Sequence, residues 1–157
     1  MNFNWFSFHP LSMMLAFVVL SGNAIMIKKI GGYVNTRNHG YLMGAATLLG
    51  LFGWYVIHSN KEKFMRKHLL TLHGKLGAFV LVMYTLLAVG GALALNPHNG
   101  ILRTNQTVRF YHKWGGKGLT FLAWTSCVLG FTTMESNVYI QGGFILPLLI
   151  FGFYVLL

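Results

Sequence analysis

Acidic side chains are almost missing from this chain. Glu62 and Glu135 are the only carboxylate residues in 157, so chemistry built on paired carboxylates has nothing to work with. The single cysteine, Cys127, excludes a disulfide framework and a multi-thiolate metal site. Charge of either sign is scarce, at 9% of residues against about a quarter in a typical soluble domain. So few charges cannot cover a water-exposed globule. Disorder is excluded by the opposite excess, a hydrophobic content of 55%. Only three prolines occur, and one of them, Pro147, falls inside a long apolar run.

What is present is apolar sequence in blocks of bilayer length. A spanning helix needs about 20 mostly apolar residues. Segments 10–27, 40–57, 76–95, 118–134 and 138–157 meet that need and contain no Lys, Arg, Asp or Glu. The expected fold class is therefore an all-α, multi-pass integral membrane protein. It has five transmembrane helices in one domain over residues 1–157. Pro147 kinks the last span, which membrane helices tolerate. A cleavable signal peptide is not expected, since no basic stretch precedes the first span and Lys28 and Lys29 follow it. No soluble domain is left over, because the longest connections are 58–75 and 96–117.

Five spans put the termini on opposite sides. End A, the N-terminal side, carries Lys61, Lys63, Arg66, Lys67 and Lys75. End B carries Lys28, Lys29, Arg37, Arg103, Arg109, Lys113 and Lys117. The small excess points to B as the cytoplasmic or matrix side. With a net charge of +10, both faces suit anionic lipid heads or small anionic molecules, and no nucleic-acid partner is expected.

The seven histidines avoid the middle of every span. His9, His39, His73 and His112 open the first four spans, His9 and His73 at end A, His39 and His112 at end B. In a four-helix bundle wound in chain order, spans one and three are diagonal, as are two and four, at roughly 12–14 Å. That is about the backbone separation two imidazoles need to face each other through one haem iron. His9 with His73, and His39 with His112, are thus candidate ligands of two b-type haems, one near each face. Covalent attachment is excluded, as there is no Cys-x-x-Cys-His. A zinc site formed by these four residues fails because they divide between the two faces. His58, His68 and His98 read as interfacial. Small residues such as Gly50, Gly53, Gly77, Gly91 and Gly130 suit helices around a flat cofactor, and equally suit close helix packing.

These residues resemble a known family. "FSFHPLSMMLAFVVLSGNAIMIKK" is similar to the His-Pro-opened helix of eukaryotic cytochrome b561. "RNHGYLMG" with "YVIHSN" resembles the next family helix, "LLTLHGKLG" the third, and "RFYHKWGGKG" leading to "VLGFTTME" the helix with the fourth histidine. The resemblance implies a di-haem transmembrane electron carrier, an ascorbate-dependent or ferric-reductase-type oxidoreductase, with ascorbate as donor at end B. It implies that basic residues hold the donor there, and Arg37 and Arg109 stand in comparable places. It also implies a shortened form, since the family helix ahead of the His-Pro helix is absent here. Asn23 replaces the usual acid, and Gly74 and Lys75 replace Ser and Trp. A second reading follows from these departures: a structural accessory subunit of a larger respiratory or photosynthetic complex, or a homodimer, with haem retained or lost.

Overall fold

The computed structural model describes residues 4–156, which form five helices with no strand among the described residues. They are α1 (Trp5–Ile30), α2 (Tyr33–Lys63), α3 (Leu72–Ala94), α4 (Gln106–Met134) and α5 (Val138–Leu156). All five expected segments lie on these helices, apart from Leu95, which caps α3, and Leu157, which lies outside the described residues. The helices outrun the apolar segments. α2 continues through Asn60 to Lys63, and α4 begins at Gln106, because capping and turn chemistry, not hydropathy, end a helix. α1, α2, α3 and α5 are long and apolar enough to cross a membrane. α4 is the polar exception, with Arg109, His112, Lys113 and Lys117 along its first half.

Local sequence sets the helix starts. Asn4 and Ser7 form a reciprocal capping box at the head of α1. Thr71 accepts from Gly74 N at 3.1 Å to cap α3, and Asn105 accepts from Val108 N at 3.0 Å to cap α4. Gly31 and Gly32 turn the chain from α1 into α2 with φ of 80° and 85°, a conformation that side chains disfavour.

α1 packs on α2, α2 on α3, α3 on α4, and α4 closes the ring against α1. α1 and α3 are therefore diagonal, as are α2 and α4. α5 lies outside this ring, against α4 and the C-terminal half of α1. Gly22 and Gly152 admit it: a Cβ on Gly22 would meet Phe151 at 2.7 Å, and one on Gly152 would meet Trp124 at 2.9 Å. Trp124 stacks on Phe151 at 5.6 Å. At its far end, Lys29 Nζ donates to Tyr154 O at 2.5 Å and Lys117 Nζ donates to Leu156 O, so two cations satisfy the last carbonyls of α5.

One irregularity shapes the core. Residues Leu15–Leu20 of α1 are π-helical, which loosens the backbone ladder at mid-helix. Phe17 O there accepts from Trp124 Nε1 at 2.7 Å and from Ser21 Oγ at 2.5 Å. The Phe17 ring meets Tyr84 edge-on at 5.1 Å, and both residues are buried with Ala46, Leu81 and Ala123. Trp124 thus joins α4 to the irregular turn of α1 by a hydrogen bond as well as by contact area. Trp124→Phe should cost about 1 kcal/mol, the scale of one such bond within a membrane protein. Trp124→Ala should cost at least twice that, as it also removes the stack on Phe151. Unfolding in detergent, followed by helical ellipticity, checks both; a Trp124→Phe variant as stable as wild type would show that the bond contributes nothing, and equal losses that the stack adds nothing.

Candidate functional site

Each histidine that opens a span sits near a helix start and points across the ring. His9 and His73, on diagonal helices, have ring centroids 6.2 Å apart with planes at 76°. His39 and His112, on the other diagonal, stand 6.5 Å apart at 81°. All four are half-buried.

The neighbouring helices hold these rings. His9 Nδ1 lies 2.9 Å from Gly53 O on α2, His39 Nδ1 3.0 Å from Ala24 O on α1, and His73 Nδ1 2.9 Å from Ser126 O on α4. A carbonyl can only accept, so Nδ1 carries the proton and donates. That fixes the tautomer and leaves the Nε2 lone pair for a metal. No hydrogen bond joins the two rings of either pair. Glycine makes the room. A Cβ on Gly130 would stand 2.8 Å from His73 Cε1, and one on Gly91 would stand 2.7 Å from His112 Cε1. Gly90 and Gly91 also line an open, mainly apolar cleft of about 330 Å³ beside His112, walled by Leu87, Ala94, Val108 and Tyr111.

A first-row metal held linearly between two imidazoles has metal–nitrogen bonds of about 2 Å, and each nitrogen lies about 1.2 Å from its ring centre, so the centroids stand about 6.4 Å apart. Both pairs sit at that spacing. His39 and Gly53, which accepts from His9, are fourteen positions apart on α2, so the two pairs are about 21 Å apart along the helix axis.

The other expected residues divide. Arg37 is exposed at end B, its guanidinium 6.0 Å from the Tyr33 ring centre. Arg109 is also exposed there, with Nη1 donating to Arg103 O at 3.5 Å. The residue that sequence reading missed is Lys28. It is half-buried, donates to Thr36 Oγ1 at 2.6 Å, and interacts electrostatically with Arg109, His39 and His112. Its place at the end of the first apolar run was visible, but its approach to the second and fourth helices needs the fold. His98 is exposed on the α3–α4 connection. His58 and His68 do not stand alone at the interface: their rings stack at 4.8 Å.

The molecule is thus an all-helical membrane protein with one imidazole pair toward each end of a four-helix ring. The family model of eukaryotic cytochrome b561 matches residues 8–137, and the chain belongs to that family. It is 27% identical over 146 residues to "Transmembrane reductase CYB561D2" of Mus musculus, covering 88% of this chain and 66% of that protein. It is 25% identical over 140 residues to "Ascorbate-specific transmembrane electron transporter 2" of Zea mays, covering 84% of this chain and 59% of that one. The chain therefore spans about two thirds or less of the length of these relatives. At the level of the family, the function is transmembrane electron transport and the usual cofactor is haem.

Proposed function

We propose that this chain carries electrons across the membrane through two b-type haems, one ligated by His9 and His73 and the other by His39 and His112. In this reading residues 1–157 form one domain, and α4 crosses the bilayer with the other helices to complete the haem-holding ring. The observation that carries the proposal is the pair of ring separations, 6.2 and 6.5 Å, with Nδ1 of His9, His39 and His73 already engaged by carbonyls. Haem bound in this way supplies a reversible one-electron couple with no open iron position. The protein's own share is orientation and insulation. The carbonyls of Gly53, Ala24 and Ser126 aim the imidazoles, Gly91 and Gly130 leave them room, and the buried middle layer keeps water away from the path.

The donor belongs at end B. Lys28, which interacts with His39, His112 and Arg109, and the exposed Arg37 and Arg109 give this end positive charge, which suits ascorbate or another small anion. The maize relative's name, ascorbate-specific, supports the same substrate class.

Haem counting tests the ligands. The wild-type chain should hold two haems and each single His→Ala variant one. His9→Ala with His73→Ala should still hold one, because two ligands of one iron act as a unit. His9→Ala with His39→Ala should hold none. Gly130→Val and Gly91→Val should each lower occupancy of the adjoining site, while His98→Ala keeps both haems. Helical ellipticity confirms folding throughout; two haems in a folded His9→Ala variant would overturn the pairing.

Stopped-flow reduction tests the donor. Arg37→Gln with Arg109→Gln should slow reduction by ascorbate about three- to tenfold at low salt, the scale of two exposed charges. Its salt dependence should flatten, because screening acts on the charges removed. An unchanged rate with normal haem content would return both arginines to lipid contact.

A further inference from the structure

A second group of ligand-type side chains lies at end A, apart from the four paired histidines. His58, Glu62 and His68 each offer one ligand atom, and these atoms all lie within 4.8 Å of one another. His58 and Glu62 are one turn apart on the last stretch of α2, so they share a face. His68 arrives from the connection that follows. There Phe64, Met65 and Arg66 donate back to the carbonyls of Asn60, Glu62 and Lys61, and Lys61 Nζ donates to Lys67 O at 3.2 Å. Met65 and Leu69 adopt φ of 48° and 54°, which side chains disfavour. These turns fold the connection over the helix end and bring His68 Nε2 to 2.6 Å from Glu62 Oε1, with the two imidazoles stacked. Trp54, one turn earlier on α2, also packs on His58, its ring centre 5.1 Å away with the planes tilted at 45°.

We infer that His58, Glu62 and His68 form a binding site for a divalent first-row transition metal ion, open to the aqueous phase at end A. Two imidazoles and one carboxylate, with a position left for water, are a familiar ligand set for zinc. The surroundings choose among cations. Lys61, Lys63, Arg66 and Lys67 crowd this connection, and Glu62 is its only acid. Calcium and magnesium need several oxygen ligands, which this end of the chain does not gather. Zinc, nickel and copper gain from neutral imidazole, which the cationic surroundings do not weaken. Metal–ligand bonds of about 2.0–2.1 Å set ligand atoms about 3.3 Å apart. The carboxylate and His68 must therefore part slightly and His58 must approach. Glu62 and His68 are exposed enough to do so, with side chains 63% and 37% accessible. The site does not depend on the haem reading, since it shares no residue with either imidazole pair.

Zinc alone is the probe, titrated into the full chain in detergent with bound metal measured after dialysis. The wild-type chain should bind one Zn²⁺ that His68→Ala fails to bind. His58→Ala and Glu62→Gln should each weaken that ion at least tenfold. The double variant His58→Ala with His68→Ala should be no worse than His68→Ala alone, because the ligands act together. His98→Ala, at the opposite end, should match wild type and so separates this site from zinc taken up by histidines in general. Cobalt substitution adds a spectroscopic readout: visible ligand-field bands that His58→Ala abolishes. Equal zinc content in wild type and His68→Ala, or an equal loss in His98→Ala, would reduce the cluster to an ordinary His68–Glu62 ion pair.

Discussion

A neutral imidazole inside a bilayer has one N–H that needs an acceptor and one lone pair that needs a donor or a metal. The ring of helices meets the first need from its own backbone. His9 reaches Gly53 on α2, His39 reaches Ala24 on α1, and His73 reaches Ser126 on α4. Each bond ties neighbouring helices together and commits one ring nitrogen, leaving the other without a backbone partner while the diagonal rings stand 6.2 and 6.5 Å apart. The rest of the structure is arranged around that constraint. Gly91 and Gly130 lack a side chain where a Cβ would collide with an imidazole, and α5 stays outside the ring, where it adds packing without adding a ligand. Exchanging the acceptors for water would leave the rings free to rotate, and a metal between them would lose its preset geometry.

The diagonal pairing was legible because it rests on counting. Four histidines at four helix starts, in a ring wound in chain order, have few ways to meet. The helix interiors were legible for the same reason, since charge-free runs of about bilayer length admit little else. The ends were not. Lys61 and Lys63 continue α2 well past its last apolar residue, because the turn that stops it comes only at Phe64 and Met65. The π-helical stretch of α1 also has no signal in its apolar sequence. Its Phe17 O accepts from Trp124, more than a hundred residues away, a contact only the fold reveals. Nor did single histidines betray the end-A cluster. His58 and His68 read separately as interfacial, and only the left-handed turn at Met65 shows that the connection doubles back.

Between the imidazole pairs lies a layer with no charged group. Phe17, Tyr84 and Trp124 fill it, with Ala46 and Ala123 allowing the helices to come close. Its polar atoms are committed locally: Tyr84 Oη to Met43 Sδ at 3.2 Å, Trp124 Nε1 to Phe17 O, and Thr47 Oγ1 to Met43 O at 2.8 Å. No buried side-chain nitrogen or oxygen among the described residues lacks a partner. Such a layer offers a proton no chain of free donors and acceptors and offers an ion no stopping place. An electron needs neither. The same packing that stabilises the ring therefore suits passage of electrons and opposes leakage of protons.

The two ends are electrically unlike, and that bears on what can approach each of them. Both acids of the chain stand at end A, Glu62 in the last turn of α2 and Glu135 just after α4, so cations there are partly offset. End B has none: Lys28, Lys29, Arg37, Arg103, Arg109, Lys113 and Lys117 stand without a carboxylate among them. Exposed charges act over about 8–10 Å at ordinary ionic strength. A small anion nearing the His39–His112 pair therefore meets a uniformly attractive field, and a metal cation meets a repulsive one. At end A the field is mixed, and the imidazoles of His58 and His68 can hold a cation by lone pairs that the neighbouring lysines do not neutralise. On the readings proposed above, an anionic reductant belongs at end B and a metal cation at end A, a sorting that the two glutamates favour by offsetting part of the end-A charge. Nothing in the apolar spans contributes to that sorting, because the charge lies only at the helix ends and in the connections.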